Sequence, residues 1–153
     1  MNHIYNSHLD GSTLKIGIVQ SCFSREICDQ LLLSCTKKLQ LLGVKQENIH
    51  IAFVPGALEI PVALQAMTKT KKFDALVALG VVIRGETYHF ELVSNESGAG
   101  VSRVALDSGI PIANAILTTE NEAQALVRMN IKAEEAAVVA VQMAHLLKDI
   151  EKE

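Results

Sequence analysis

The chain has 153 residues, of which 49% are apolar and 20% charged, with no Trp and a formal net charge of −3. A single domain of that size can bury a full core without disulfide or metal staples, and with no basic block a nucleic-acid partner is excluded. No apolar run reaches the ~18 residues a membrane span needs, and Met1 to Gly11 lacks the basic start and apolar stretch of a signal peptide, so a soluble cytoplasmic protein with no membrane association is expected.

Residues 1–13 carry no pattern of their own and read as an N-terminal tail, either disordered or laid as an added strand on a neighbouring copy. The first strand is Lys15–Gln20 (KIGIVQ), short, β-branched and followed by Ser21-Cys22-Phe23-Ser24. Ser24 is placed to cap a helix whose apolar stripe runs through Ile27, Leu31, Cys35, Leu39 and Leu42 and stops at Gly43. Cys22, Cys28 and Cys35 have spacings that match no common zinc pattern, and they read as small apolar side chains. The second strand, Ile49–Val54 (IHIAFV), leads through Pro55-Gly56 into a helix over Leu58–Thr70, with Pro61 in the first turn where it is tolerated.

Ala75–Val82 (ALVALGVV) is the third strand, and a helix over Tyr88–Ser108 follows it, weakened by Gly98 and Gly100 and ended by Gly109. The fourth strand is Ile112–Leu117 (IANAIL). Thr119 and Glu122 have the spacing of a capping box for a short fourth helix, and Ala136, Val139, Ala140, Met143 and Leu147 make the stripe of a separate last helix. The order is β-α-β-α-β-α-β-α-α. Strands three and four show little polar alternation, which predicts burial on both faces and hence parallel pairing. The expected fold is α/β: a three-layer α/β/α domain over residues 14–153 with a four-stranded parallel sheet, flavodoxin-like, and right-handed crossovers.

In such sheets ligands sit beyond the carboxyl ends of the strands, and the chemically interesting residues follow the strands. Gly85-Glu86-Thr87 opens a helix, and a glycine turn feeding a helix N-terminus suits a phosphate as well as an ordinary cap. It is no Walker loop, and no dinucleotide fingerprint is present. His89, one turn further, can give and take protons near neutral pH, or be a surface or core histidine. His3, His8, His50 and His145 form no metal-like pair, so no metal is expected. Glu59 complements a helix dipole or accepts hydrogen bonds from a hydroxylated ligand. Phe23 caps the core or stacks on a planar ring, and Arg128 serves a helix end or a phosphate.

The strings KIGIVQSCF, VPGALEIP, ALGVVIRGETYHFELV, LTTENEAQALVR and EEAAVVAVQMAHLL, taken together, resemble the lumazine synthases from about Lys15 onward. That resemblance implies condensation of 5-amino-6-(D-ribitylamino)uracil with 3,4-dihydroxy-2-butanone 4-phosphate, releasing water and phosphate without cofactor or metal. It implies that Phe23 stacks on the pyrimidine, that Ala57, Leu58 and Glu59 hold the ribityl chain, and that Val81, Val82 and Ile83 meet the ring edge. Gly85, Glu86 and Thr87 would cradle the phosphate, Arg128 would clamp it, and His89 would shuttle protons. In such a family the site lies between subunits of a ring of five, with Asn114 and Arg128 supplied by the next chain, and some members build twelve rings into a shell. Position 114 is Asn where many relatives carry an aromatic, and Ser24 stands where Asn is common. MNIKAEEAA after Arg128 is shorter than the usual Gly- and Lys-rich loop, and Ala133 stands in place of a Gly. The alternative is a non-catalytic flavin- or lumazine-binding protein of the same fold. An electron carrier would need a longer phosphate loop after the first strand, and a shell role is compatible with catalysis.

Overall fold

The computed structural model describes residues 1–152. Strands β1 (Ile16–Ser21), β2 (Ile49–Val54), β3 (Ala75–Ile83) and β4 (Ile112–Thr119) alternate with helices α1 (Arg25–Leu41), α2 (Ile60–Lys69), α3 (His89–Ser108) and α4 (Glu122–Glu151). All strand pairs are parallel, in the order β2-β1-β3-β4, with Ile16 level with both Ile49 and Ala75. Helices α1, α2 and α3 are crossovers, because parallel strands cannot be joined by a hairpin, and α4 follows the last strand.

The period-two alternation of the strands sorts their side chains into two cores. Ile16, Ile18, Val77, Leu79 and Val81 pack with Ile27, Leu31, Leu39 and the alanines of α4 on one face. Val19, Leu76, Ala78 and Val82 pack with Ile60, Leu64, Val93, Val101 and Val104 of α2 and α3 on the other. The result is three layers, with α1 and α4 on one side of the sheet and α2 and α3 on the other. β1 is buried at all positions, and β3 at all but its last residue, Ile83. That matches central strands covered on both faces.

Three expectations need correction. β4 is not buried on both faces: Ala113, Ala115 and Leu117 are buried, whereas Asn114 and Thr118 are open. It is an edge strand, and the polar side chains at 114 and 118 were its signal. The two last helices are one continuous helix of 30 residues. No Gly or Pro interrupts it, and its stripe of Ala125, Ala133, Ala136, Ala137, Ala140 and Ala144 lets the backbone lie close to α1 and the sheet. Its cap is not Thr119 with Glu122. Asn121 Oδ1 accepts from Gln124 N at 2.9 Å, while Gln124 Oε1 accepts from Glu120 N at 2.8 Å. Thr119 stays in β4, and its hydroxyl donates to Asn121 O.

Smaller differences concern helix starts. A 3₁₀ turn over Ala57–Glu59 precedes α2, and α3 opens at His89 with Tyr88 as its flanking residue. Ser24 flanks α1 as expected, but in the left-handed region (φ 52°) and without a side-chain cap. Ahead of β1, the extended segment lies along the end of α4. Asn6 N donates to Asp149 Oδ2 at 2.7 Å, the ring of His8 stacks on that of His145 at 3.6 Å, and Gly11 N donates to Leu42 O. No helix of the described residues is long and apolar enough to cross a membrane.

Candidate functional site

The carboxyl ends of β1, β2 and β3 release their loops on one edge of the sheet, at the point where strand order reverses about β1 and β3. The first loop is tightly held. Cys22 N donates to Val54 O at 2.9 Å, Ser24 O accepts from Ile27 N and Cys28 N, and the Cys28 thiol donates to Phe23 O at 3.2 Å. With its backbone fixed and Ser24 turned left-handed, Phe23 projects outward and is 62% exposed. Burial raises the Cys28 thiol above its ordinary range, so it remains the protonated donor this bond requires.

In the second loop Glu59 N donates to Gly56 O at 3.1 Å, closing the turn that buries Ala57 and leaves Leu58 half open. The Glu59 carboxylate lies over Gly56, since a Cβ there would stand 3.3 Å from Glu59 Oε1. The third loop begins where Arg84 N donates to Thr119 O at 2.9 Å. Gly85 follows, with nothing within 4 Å of where a side chain would project. His89 N then donates to Thr87 Oγ1 at 3.4 Å as α3 begins.

These loops enclose a cavity of about 500 Å³, within the range of small-molecule sites. Phe23, Ala57, Leu58, Glu59, Val81, Val82, Ile83, Gly85, Thr87 and His89 all line it. The walls are largely apolar, with Glu59, Thr87 and His89 as polar groups among them. Such a lining suits a small organic molecule held by a few hydrogen bonds.

Three of the expected residues lie elsewhere. Glu86 is exposed and outside the cavity lining. Asn114 and Arg128 line a separate, shallower groove along β4, together with Thr118 and Lys132. There Asn114 Oδ1 accepts from Ile116 N at 2.8 Å, and Arg128 Nη1 donates to Gln124 O at 2.9 Å. The groove and the cavity share no lining residue.

Sequence reasoning missed Pro55, Gly56, Phe90 and Val93 as cavity walls and Lys132 as a groove residue. Phe90 and Val93 had a readable signal, since their three-residue spacing places them on one face of α3 beside His89. Arg84 was also missed. Its guanidinium bonds Glu91 and, at 2.6 Å, Glu120, and it lies 4.4 Å from the centroid of the Phe90 ring. The two carboxylates hold Arg84 still more firmly protonated, and Arg84 in turn lowers Glu91. Among the described residues no group of three or more His, Cys, Asp or Glu is placed to hold a metal ion.

The model of the 6,7-dimethyl-8-ribityllumazine synthase family matches residues 13–148. The chain is 65% identical over 140 residues to a 6,7-dimethyl-8-ribityllumazine synthase of Neisseria meningitidis, covering 92% of this chain and 89% of the relative. A protein of that name from Azoarcus sp. is 60% identical over 144 residues, covering 94% and 92%. A third, from Paraburkholderia phytofirmans, is 58% identical over 147 residues, covering 96% and 88%.

Proposed function

The chain belongs to the 6,7-dimethyl-8-ribityllumazine synthase family, and from that premise we propose that its cavity is one half of an active site completed by a second copy. The reaction is a transferase step of riboflavin biosynthesis. It joins 5-amino-6-(D-ribitylamino)uracil to 3,4-dihydroxy-2-butanone 4-phosphate, forms 6,7-dimethyl-8-ribityllumazine and releases phosphate and water. The substrates are small molecules, in keeping with the cavity's size.

The observation that carries the proposed residue roles is the convergence of Phe23, Glu59, Thr87 and His89 on one cavity, with Arg128 in another. Phe23 stacks on the pyrimidine, and the edge of β3 from Val81 to Ile83 meets the ring. Glu59 accepts hydrogen bonds from ribityl hydroxyls, beside Ala57 and Leu58. The phosphate lies at the start of α3, where Gly85, Glu86 and Thr87 present backbone and hydroxyl donors and the helix dipole favours an anion.

The substrate amine attacks the ketone to give an imine with loss of water. A proton leaves the adjacent carbon, phosphate is eliminated, the enol rearranges, and the second amine closes the ring with loss of another water. His89 stands between phosphate loop and ring, where one imidazole can serve several of these proton transfers. Such a group contributes about 10²–10⁴-fold. Holding both substrates in reacting geometry supplies much of the remainder through effective molarity, so a His89→Ala chain retains part of its activity.

Arg128 and Asn114 reach a cavity only if the β4 groove of one chain faces the cavity of another. A head-to-tail contact of that kind closes into a ring when the rotation between copies completes a circle, and we take the ring to have five members. In it Arg128 neutralises the departing phosphate by charge-assisted hydrogen bonds.

The test is a direct assay in which purified protein and both substrates are mixed and the fluorescent product is followed above the uncatalysed background. Wild type accelerates the reaction. Arg128→Ala loses about 10- to 100-fold in kcat/KM, the worth of a charged hydrogen-bonded pair. Light scattering reports a particle of five times the 16.6 kDa chain mass, and a multiple of that identifies associated rings. An assembled protein that binds the lumazine but gives no acceleration would instead be a ligand carrier.

A further inference from the structure

Arg84 lies at the foot of the proposed phosphate loop, yet it does not line the cavity. Its bonds are to the protein. Nε donates to Glu120 Oε2 at 2.6 Å, in the turn between β4 and α4, and Nη1 donates to Glu91 Oε1 in the first turn of α3. The flat guanidinium lies 4.4 Å from the centroid of Phe90, whose ring is a cavity wall. Its backbone N–H is tied to Thr119 O at 2.9 Å. One residue thus fastens the loop to three places.

The loop needs such a fastening. Gly85 has no neighbour within 4 Å of its Cβ position, and Glu86, Thr87 and Tyr88 are exposed. The charge balance also argues for geometry over field. One cation between two carboxylates leaves the cluster with an excess negative charge, which opposes an anion nearby. If Arg84 served by its charge, Glu91 and Glu120 would be counterproductive. As anchors for a planar fork they are well suited, because Arg engages two partners at fixed angles and stacks on an aromatic face.

We propose that Arg84 is a positioning residue for the phosphate-bearing substrate: by joining Glu91, Glu120 and the Phe90 ring it holds the Gly85–Thr87 loop in its anion-binding shape without touching the anion. This rests on the reading of that loop as the phosphate cradle.

Glu120 separates position from charge, because Glu120→Ala and Glu120→Gln remove the same charge while only Gln keeps an oxygen to accept from Arg84 Nε. Each variant, checked for wild-type assembly by light scattering, is titrated with inorganic phosphate and assayed with both substrates. Glu120→Ala weakens phosphate binding and raises the KM for the phosphate substrate by about tenfold, roughly the worth of one charged hydrogen bond. Glu120→Gln stays within about threefold of wild type, and Arg84→Lys resembles Glu120→Ala because an ammonium cannot reproduce the fork. The KM for the pyrimidine is unchanged throughout. If Glu120→Ala and Glu120→Gln behave alike and bind phosphate as well as or better than wild type, the positioning role is overturned. Thr87→Val controls the underlying reading: weakened phosphate binding there leaves the cradle intact whatever Glu120 shows. Wild-type phosphate affinity in Thr87→Val would overturn the cradle and the proposal together.

Discussion

Phe23 is held in place by a thiol. Cys28 reads in the sequence as a small apolar residue on a helical stripe, and it is indeed buried, but its Sγ donates to Phe23 O. No pattern of apolar spacing reveals a hydrogen bond to a backbone five residues away. Removing the donor frees the loop beside a left-handed Ser24. Cys28→Ala is therefore expected to raise the KM for the pyrimidine about three- to tenfold, the range of a modest hydrogen bond, with the KM of the phosphate substrate unchanged. Cys28→Ser restores it. In a Phe23→Ala background neither variant shifts the pyrimidine KM further, since that effect runs through the ring. Steady-state kinetics on wild type, the two Cys28 variants, Phe23→Ala and the two double variants checks this.

A second thiol sets an alkaline limit. Cys35 is fully buried on the α1 stripe, and burial pushes it up to about 12 from the ordinary 9.0. Between those values the unfolded chain gives up the proton and the folded chain keeps it. The stability contributed by the buried thiol is present below pH 9.0 and is lost as pH rises toward about 12. The slope of one such group is about 1.4 kcal/mol per pH unit. Urea midpoints measured between neutral pH and pH 11 should fall, and Cys35→Ala should flatten the decline.

At the scale of elements, the four strands were legible because each is a short β-branched or Ala-rich run between turn residues, and the crossover helices because each fills the gap between two strands. Two features were not. That β4 is an edge strand follows from the order of strands in space, which local pattern does not encode, although Asn114 and Thr118 hinted at it. The continuity of α4 was hidden because in the MNIK stretch only Met129 packs against the core, between Ala125 and Ala133, while Asn130, Ile131 and Lys132 are exposed, and so thin a stripe looks like a helix end. The two glycines of α3 differ in a way the sequence does not show. A Cβ at Gly100 would stand 2.6 and 2.8 Å from the ring of Pro61 in α2, whereas Gly98 has nothing within 4 Å. Proline cannot swing aside, so Gly100→Ala should destabilise by about 1–3 kcal/mol, as overpacking does. Gly98→Ala should gain about 0.5–1 kcal/mol in helix propensity where that face stays open. Thermal unfolding of the two variants compares them directly.

At the scale of the whole molecule, the rule that ligands gather beyond the strand ends brought together ten of the eleven substrate and proton-transfer candidates outside β4 and α4, with Glu86, exposed and outside the lining, the exception. The same rule could not place Asn114 and Arg128, because those residues lie in a groove with no lining residue in common with the cavity. Only the family resemblance assigned them to a neighbouring chain.

That division has a genetic consequence. A chain crippled at Phe23 still carries a sound β4 groove, and a chain crippled at Arg128 still carries a sound cavity. Each allele alone gives an assembly in which every site of the proposed ring is impaired. Co-expressed and mixed at random, they bring a sound cavity and a sound groove together at about one site in four. Two impaired alleles in one cell should then supply more activity than either does by itself, and their purified mixture, unfolded and refolded together, should recover activity that separate refolding does not.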